Sequence, residues 1–307
     1  MRSLNPFLVA ASLSLIAPSH ALAQSASREG AASFLSNVSV SASGSAAWVE
    51  NLSRSSNPLD MREAMVYDVN VAAAKTHQLS RNWLLTAGAD ASIYSVPDFD
   101  RNTRYGVGVR GGLQRKFGLG PLAPVLSFNT SYAYQDARID ADDGATLTGS
   151  INLSKRIIPS LRVGATAEWL DHYARSATYD IQQRTLSIDA TWDITERWRL
   201  SGSAGRLSGR LVATAGAFVW NRAITGLLGA TIANYYNSVP WEVTDGYAPG
   251  WVSYNVESDV DLWSVGLARR FFENTSVELR LSSAYATNIV NVRYLTRNWA
   301  IGVAHRF

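Results

Sequence analysis

Charged side chains that alternate with apolar ones along a chain could bind a polar or charged solute. Seven such residues are the strongest candidates in this sequence: Arg104, Arg110, Arg162, Glu168, Asp189, Arg199 and Arg280. If they line one interior, guanidinium groups beside carboxylates would create a field that selects charged or sugar-like solutes. The alternative is a network of mutually neutralising charges that fills a narrow interior.

An aromatic-rich segment, residues 211–256, is the second candidate for binding. Its candidate residues are Trp220, Tyr235, Tyr236, Trp241, Tyr247 and Trp251. Flat rings beside Arg222, Glu242 and Asp245 suit a carbohydrate, because a ring can stack on the apolar face of a sugar while the charges bond to its hydroxyls. A loop of this kind could also narrow or cap a pore. The alternative is that the rings form the segment's own small core or part of an outer girdle.

Catalytic chemistry has little support in the sequence. His172 stands beside Asp171 and Ser176 follows, so a Ser–His–Asp site is conceivable. Alternation along a strand would nevertheless send Asp171 and His172 to opposite faces. The chain contains no cysteine, which excludes zinc or iron–sulfur sites with cysteine ligands. We therefore expect no enzymatic activity, no cofactor and no metal site.

The elements that position these residues are predicted to be β-strands, with bulky residues on one face and small or polar residues on the other. In residues 103–117, for example, Val107 and Val109 face one way, whereas Arg104 and Arg110 face the other. The predicted strands are 37–50, 63–76, 83–95, 103–117, 124–137, 144–156, 161–173, 181–193, 197–210, 257–271, 275–288 and the terminal strand that ends at Phe307. On the inward faces we also expect Asp68, Asp90, Arg270, Glu278 and Arg306.

Tight polar turns recur at nearly even spacing along these strands, except that the last interval is about twice as long as the others. That interval holds residues 211–256, which form either one long extracellular loop or an extra hairpin. Residues 219–232 could be a strand or a short helix. Residues 237–251 carry two prolines without clean alternation, which argues against a second strand of an extra hairpin there. Twelve strands are therefore favoured, and fourteen are the alternative.

The N-terminal residues have the pattern of an export signal. Arg2 is followed by an apolar stretch at residues 7–16 and by small residues on both sides of Leu22. Residues 1–23 are interpreted as a cleaved signal peptide, with an uncleaved anchor as the alternative, and residues 24–36 as a polar lead-in.

The composition favours a membrane protein that crosses the bilayer with strands. The chain is 47% hydrophobic and only 17% charged, against about 25% charged in a typical soluble protein. After residue 23 there is no apolar run of about 18 residues, the length that a membrane helix needs. A closed barrel satisfies every backbone group in lipid without helices. The net charge of +3 is near neutral and does not suggest nucleic-acid binding.

The end of the chain carries a specific pattern. Phe307 is preceded by Gly302 five residues earlier and by His305 two residues earlier. This ending resembles the C-terminal signal that outer-membrane barrels present to their assembly machinery, although His305 stands where a second aromatic residue is usual. Residues 37–307 as a whole resemble a porin-like, Gram-negative outer-membrane β-barrel. In general layout and in the aromatic segment they are also similar to putative barrels that accompany exopolysaccharide export systems.

The resemblance implies an all-β fold, a transmembrane antiparallel up-and-down barrel located in the outer membrane. It implies a channel or export pore for small solutes or polysaccharide. A structural or adhesive barrel with a filled lumen is the alternative, and a lipid-modifying enzyme is a more distant one. The expected partners are outer-membrane lipid and lipopolysaccharide, the assembly machinery that recognises the strand ending at Phe307, and a saccharide or small-solute ligand.

Overall fold

The computed structural model describes residues 38–307 and forms a closed antiparallel barrel of twelve wall strands. Each wall strand pairs with the next one along the chain, and the last pairs with the first. The wall strands are β1 (Val38–Val49), β2 (Ala64–Ser80), β3 (Trp83–Ser95), β4 (Arg104–Lys116), β5 (Val125–Ala137), β6 (Gly144–Ile158), β7 (Leu161–Ala174), β8 (Ile181–Asp193), β9 (Trp198–Ala215), β11 (Val252–Phe272), β12 (Thr275–Asn288) and β13 (Arg293–Arg306). A short strand, β10 (Trp241–Val243), pairs with β11 outside the wall.

The two faces of the wall differ as the alternation predicts. In β4, Val107 and Val109 are about 60% exposed on the outer surface, whereas Arg110 on the inner surface is partly buried. The same alternation gives the other wall strands an outer belt of large apolar side chains. Such an exterior is stable in lipid, and closure of the sheet leaves no unpaired edge there. The predicted fold class, a transmembrane up-and-down barrel of twelve strands, is confirmed.

The connections divide the barrel into two ends. Five connections are short and join β2 to β3, β4 to β5, β6 to β7, β8 to β9 and β11 to β12. The connections at the opposite end are longer on the whole, and include residues 50–63 and 216–251. We call the end with the short turns periplasmic and the other extracellular, as is usual for such barrels. Val38 and Arg306 both lie at the periplasmic end.

The aromatic segment differs from the prediction in its boundaries. β9 continues to Ala215 and β11 begins at Val252, so the loop between them is residues 216–251 rather than 211–256. The strand extensions lack alternation because both of their faces are covered: Leu211, Val212 and Ala213 are all fully buried. A period-2 pattern marks only strands with one polar face, which is why the sequence concealed these extensions.

The loop itself contains two helices, α1 (Ala217–Ile224) and α2 (Ala230–Ser238), followed by β10. Each helix buries residues three apart on one face, Trp220 with Ala223 and Ala233 with Tyr236. Residues 219–232 are therefore mainly helical, and the fourteen-strand alternative is wrong. The expectation that residues 237–251 hold no second strand of an extra hairpin is confirmed, because the short β10 lies outside the wall and adds only three pairs to the extension of β11.

Within residues 38–307 no helix is long and apolar enough to cross a membrane. The predicted signal peptide, residues 1–23, and the predicted lead-in, residues 24–36, lie outside the described residues.

At Gly149 in the wall, the absence of a side chain leaves the space in which a neighbouring side chain packs. Gly149 pairs with Trp169 across β6 and β7, and the indole of Trp169 occupies the space that a Cβ atom on Gly149 would fill. We predict that Gly149→Ala lowers the free energy of unfolding in lipid vesicles by about 1–3 kcal/mol, the usual cost of overpacking. Urea titration followed by tryptophan fluorescence measures this change.

Gly111→Ala is the matched control, because a Cβ atom there meets only Thr130 Cγ2 at 3.8 Å. Equal stability losses in the two variants would contradict the prediction.

Candidate functional site: the lumen and its extracellular cover

The extended ends of β9 and β11, together with the loop between them, fold across the extracellular mouth of the barrel. We call residues 210–256 the cover. One face of the strand extension rests on the β7–β8 loop: Tyr179 Oη donates a hydrogen bond to Ser253 Oγ (2.9 Å), and Asn255 Nδ2 donates to the carbonyls of Thr178 and Asp180 (3.4 and 2.5 Å). The extension is therefore folded inward over the mouth rather than standing upright from the wall.

The cover also reaches the opposite side of the barrel, where it is tied to two more loops. Tyr247 Oη donates to the carbonyl of Leu52 (3.1 Å) in the β1–β2 loop, and the N–H of Gly216 donates to Asp60 Oδ2 (2.9 Å) in the same loop. In the β3–β4 loop, Asn102 Nδ2 donates to the carbonyl of Gly246 (2.7 Å). We call these three hydrogen bonds the latch. The same side of the cover is also held by an ion pair between Arg101 and Asp245 (3.8 Å) and by the ring of Tyr247, which packs edge-on against Phe99 with 4.8 Å between centroids.

The other face of the cover forms an aromatic core with the inner wall. Trp220 stacks on Tyr254 with 4.9 Å between ring centroids, and Tyr236 meets both rings edge-on. Apolar inner-wall residues complete the core, among them Leu207, Val260 and Tyr294. The upper part of the lumen is thus filled on the side of β9 to β13.

The six aromatic candidates mostly pack inside this cover. Trp220, Tyr236 and Trp251 are buried, Tyr235 and Tyr247 are partly buried, and Trp241 is 43% exposed. Burial raises the pKa of Tyr235 to about 12, so its hydroxyl stays protonated while it accepts a hydrogen bond from the N–H of Glu257 (3.2 Å). These contacts agree with the alternative interpretation, in which the rings form the core of the segment itself. The carbohydrate interpretation stays a prediction.

A buried cluster of polar side chains lies at the top of the lumen on the side of β4 to β7. Asp142 Oδ2 lies 3.1 Å from Arg104 Nε, and Asp142 Oδ1 lies 3.6 Å from His172 Nε2. Thr146 Oγ1 lies 2.7 Å from His172 Nδ1. His172 thus points into the barrel and is fully buried.

The Ser–His–Asp arrangement considered from the sequence does not form. Asp171 points outward and pairs with Arg184 (3.1 Å), as strand alternation requires. Ser176 Oγ accepts a hydrogen bond from the N–H of Thr178 (3.4 Å), where it caps a short 3-10 helix. His172 is therefore part of the polar packing at the mouth.

Below the cover, the inner wall is lined by small and polar side chains. Toward the periplasmic end these include Ser41, Ser43, Thr86, Gly108, Gly112, Ser127, Asn129, Ser131, Asn152, Ser154, Thr166, Ser187, Ser201, Ser203, Ser264, Ser276, Asn298 and Ala300. Several of them bond to one another, as Ser203 and Ser264 do through their hydroxyls (2.8 Å). Leu84, Val125 and Leu262 are apolar exceptions in the part of this lining that the structure describes. Short side chains of this kind leave space along the axis and favour water in it.

All seven charged candidates lie on the inner face, at three levels. Arg104 is at the extracellular mouth; Arg110, Glu168 and Arg280 lie at middle levels; Arg162, Asp189 and Arg199 lie toward the periplasmic end.

Some of these charges are paired and others are not. Arg280 pairs with Glu278 (2.6 Å). Asp68, Asp90 and Glu168 make no ion pair with any other residue in the described range 38–307. The charged side chains of the inner face are therefore only partly neutralised by one another.

Sequence reasoning missed two members of a periplasmic charge cluster. Asp193 pairs with Arg199 (2.7 Å) and with Arg156 (3.6 Å), and Arg156 is the cross-strand partner of Arg162. Asp193 and Arg156 share the inward parity of their strands, a signal that the sequence contained. With Asp189, the cluster holds three arginines and two carboxylates at one side of the periplasmic opening.

Comparison with known proteins gives similarity in structure alone. No family model and no curated protein matches the chain. A crystallised outer-membrane channel from Pseudomonas putida F1 superposes with a TM-score of 0.56 at 7% identity, covering 92% of this chain and 100% of that one. The KdgM porin gives 0.40 at 7% identity over 86% and 99% of the two chains, and the DcaP channel of Acinetobacter baumannii gives 0.38 at 8% over 88% and 96%. The superposition on the Pseudomonas putida channel shows that the chain has the fold of an outer-membrane β-barrel.

The aromatic core predicts how the cover responds to mutation. Trp220→Ala removes a ring that is 3% exposed, so it should destabilise the cover locally by about 3–5 kcal/mol. Because Arg222 is the one lysine or arginine in residues 216–251 of the sequence, trypsin reports this loss as faster cleavage after Arg222. Gel electrophoresis and mass spectrometry of the fragments measure the rate.

Leu227→Ala is the control within the same loop, because the side chain of Leu227 is 71% exposed. Cleavage at the same rate in both variants would show that Trp220 does not hold the cover together.

Proposed function

We propose that the protein is an outer-membrane channel for small polar solutes, closed on the extracellular side by the cover. The observation that carries this proposal is the small, polar inner wall beneath the cover. A barrel with a structural role alone has no need to keep bulky side chains off its inner face. Partly accessible serine, threonine and asparagine side chains instead provide water and polar solutes with hydrogen-bond partners along the axis.

The contacts of the cover support a gate that hinges on β9 and β11. On that side the cover is continuous with two wall strands and with the aromatic core. On the far side it is held by contacts between loops: the latch, the ion pair between Arg101 and Asp245, and the ring contact of Tyr247 with Phe99. Each hydrogen bond of the latch contributes about 0.5–1.5 kcal/mol. The far side therefore depends on separate loop contacts, which can be lost while the hinge side stays folded.

Location in the outer membrane is part of the same proposal. The exposed Phe307 packs edge-on against His305 at the periplasmic end, with 4.5 Å between ring centroids. Two adjacent rings on the terminal strand suit recognition by the barrel-assembly machinery, as the C-terminal resemblance implies. Outer-membrane lipid and lipopolysaccharide would then surround the apolar belt. Export of a polysaccharide stays a prediction, since it requires the cover to leave the mouth completely.

Single-channel recording tests the gate most simply. We predict that the double variant Asn102→Ala, Tyr247→Phe raises the open-to-closed ratio of the mature protein in planar bilayers. Loss of two latch hydrogen bonds, at about 0.5–1.5 kcal/mol each, corresponds to a rise of about 5- to 150-fold. Asn234→Ala is the control, because Asn234 is an exposed cover residue outside the latch.

A second variant keeps the test decisive if the latch variant stays closed. Replacing residues 216–251 by a short Gly–Ser linker removes most of the cover and should give a stable conductance. Absence of conductance in this variant, in protein that is folded by circular dichroism, would contradict the channel proposal and favour a structural or adhesive barrel.

A further inference from the structure

Arg54 is a buried cation without a counter-charge. It lies in the β1–β2 loop, its side chain is 4% exposed, and its Nη2 atom has no hydrogen-bond partner. Within residues 38–307 no carboxylate forms an ion pair with it. Buried charges are ordinarily paired, because removal from water costs several kcal/mol. An arginine in this state needs an explanation.

The loop is built to hold Arg54 in this position. Asn51 and Arg54 both adopt left-handed backbone conformations, with φ of 53° and 42°. Asn51 fixes the turn: its Nδ2 donates to the carbonyls of Ser55 (3.0 Å) and Leu295 (3.1 Å), and its Oδ1 accepts from the N–H of Ser55 (2.9 Å). Left-handed conformations are strained for such residues and persist when their surroundings enforce them.

The groups around Arg54 belong to the inner wall and the cover. They are Tyr94 of β3, Arg104 of β4, Tyr294 of β13 and Tyr247 of the cover. The guanidinium carbon of Arg104 lies 5.4 Å from the centroid of the Tyr94 ring. The cover lies directly on this part of the loop, because the carbonyls of Leu52 and Ser53 accept hydrogen bonds from Tyr247 Oη (3.1 Å) and from the N–H of Thr214 (3.5 Å). Arg54 is therefore buried at the mouth, next to the cover.

This place carries an excess of positive charge. Arg104 is paired with Asp142, which leaves the charge of Arg54 uncompensated. Burial raises the pKa of Tyr247 far above its ordinary value, so that hydroxyl is neutral. Burial also lowers the pKa of Arg54 to about 9, which still leaves the guanidinium charged at neutral pH. An anion that bound here would repay part of the cost of burying that charge.

We propose that Arg54 and Arg104 form a binding site for the carboxylate of a small organic acid that uses the channel. The inference rests on the proposed channel function and adds the class of solute. Guanidinium groups bind carboxylates through short, charge-assisted hydrogen bonds, and the tyrosine rings can pack against the body of the solute. Because Tyr247 belongs to both the latch and this site, a solute reaches Arg54 when the latch opens.

Equilibrium binding to the full mature protein in detergent tests the site. The probes are sodium glucuronate and glucose, which differ in one carboxylate. By isothermal titration calorimetry we expect the protein to bind glucuronate at least about tenfold more tightly than glucose, and Arg54→Gln to weaken glucuronate binding about tenfold or more. Arg54→Lys keeps the charge and should retain part of the affinity.

Arg175→Gln is the control, because Arg175 is an exposed arginine of the β7–β8 loop, and it should bind like the wild type. Circular dichroism and the thermal midpoint identify any variant that fails to fold. Equal binding of both probes by the wild type, or wild-type affinity in folded Arg54→Gln, would overturn the proposal.

The outcome separates this inference from the channel itself. If the protein conducts ions but does not prefer glucuronate, the proposed carboxylate site is refuted and the channel proposal stands. If the protein prefers glucuronate but does not conduct, even without residues 216–251, the carboxylate site stands and the channel proposal is refuted.

Discussion

The absence of water in the bilayer core is the constraint on which this structure depends. Every backbone N–H and C=O there must be paired inside the protein, and a closed sheet of twelve strands achieves this without an edge. Closure places alternate residues in lipid and in the lumen. The outer face is consequently apolar, as at Val107 and Val109, and the inner face is free to carry small polar groups such as Ser131 and Asn152. A polar interior inside an apolar shell follows from that one constraint.

The extracellular mouth is where the chain departs from this pattern. There β9 and β11 leave the wall, both of their faces become buried, and the cover closes the lumen with an aromatic core on one side and hydrogen bonds on the other. The two halves of the barrel therefore have different chemistry. The periplasmic part is lined by hydroxyls, amides and charges, whereas the mouth combines apolar packing with the buried cations Arg54 and Arg104.

Because apolar and polar residues alternate along the strands, most of the wall could be predicted from the sequence. The strands predicted at 83–95, 181–193 and 275–288 have the observed boundaries, and all seven charged candidates lie on inner faces. The extensions of β9 and β11 escaped prediction because a segment that is buried on both faces has no period-2 pattern. Arg54 escaped for a different reason. Its burial arises from the cover and from β3, β4 and β13, which are distant in sequence, so no local signal marked it.

Chemical accessibility of the inner wall tests the central claim, a water-filled polar lumen, most directly. The chain has no cysteine, so single cysteines at adjacent positions of β5 can be compared without background. In lipid vesicles, Ser131→Cys on the inner face should react with a small charged methanethiosulfonate reagent, whereas Thr130→Cys on the outer face should be protected by lipid. Protection of both cysteines would mean a filled lumen and would contradict the account.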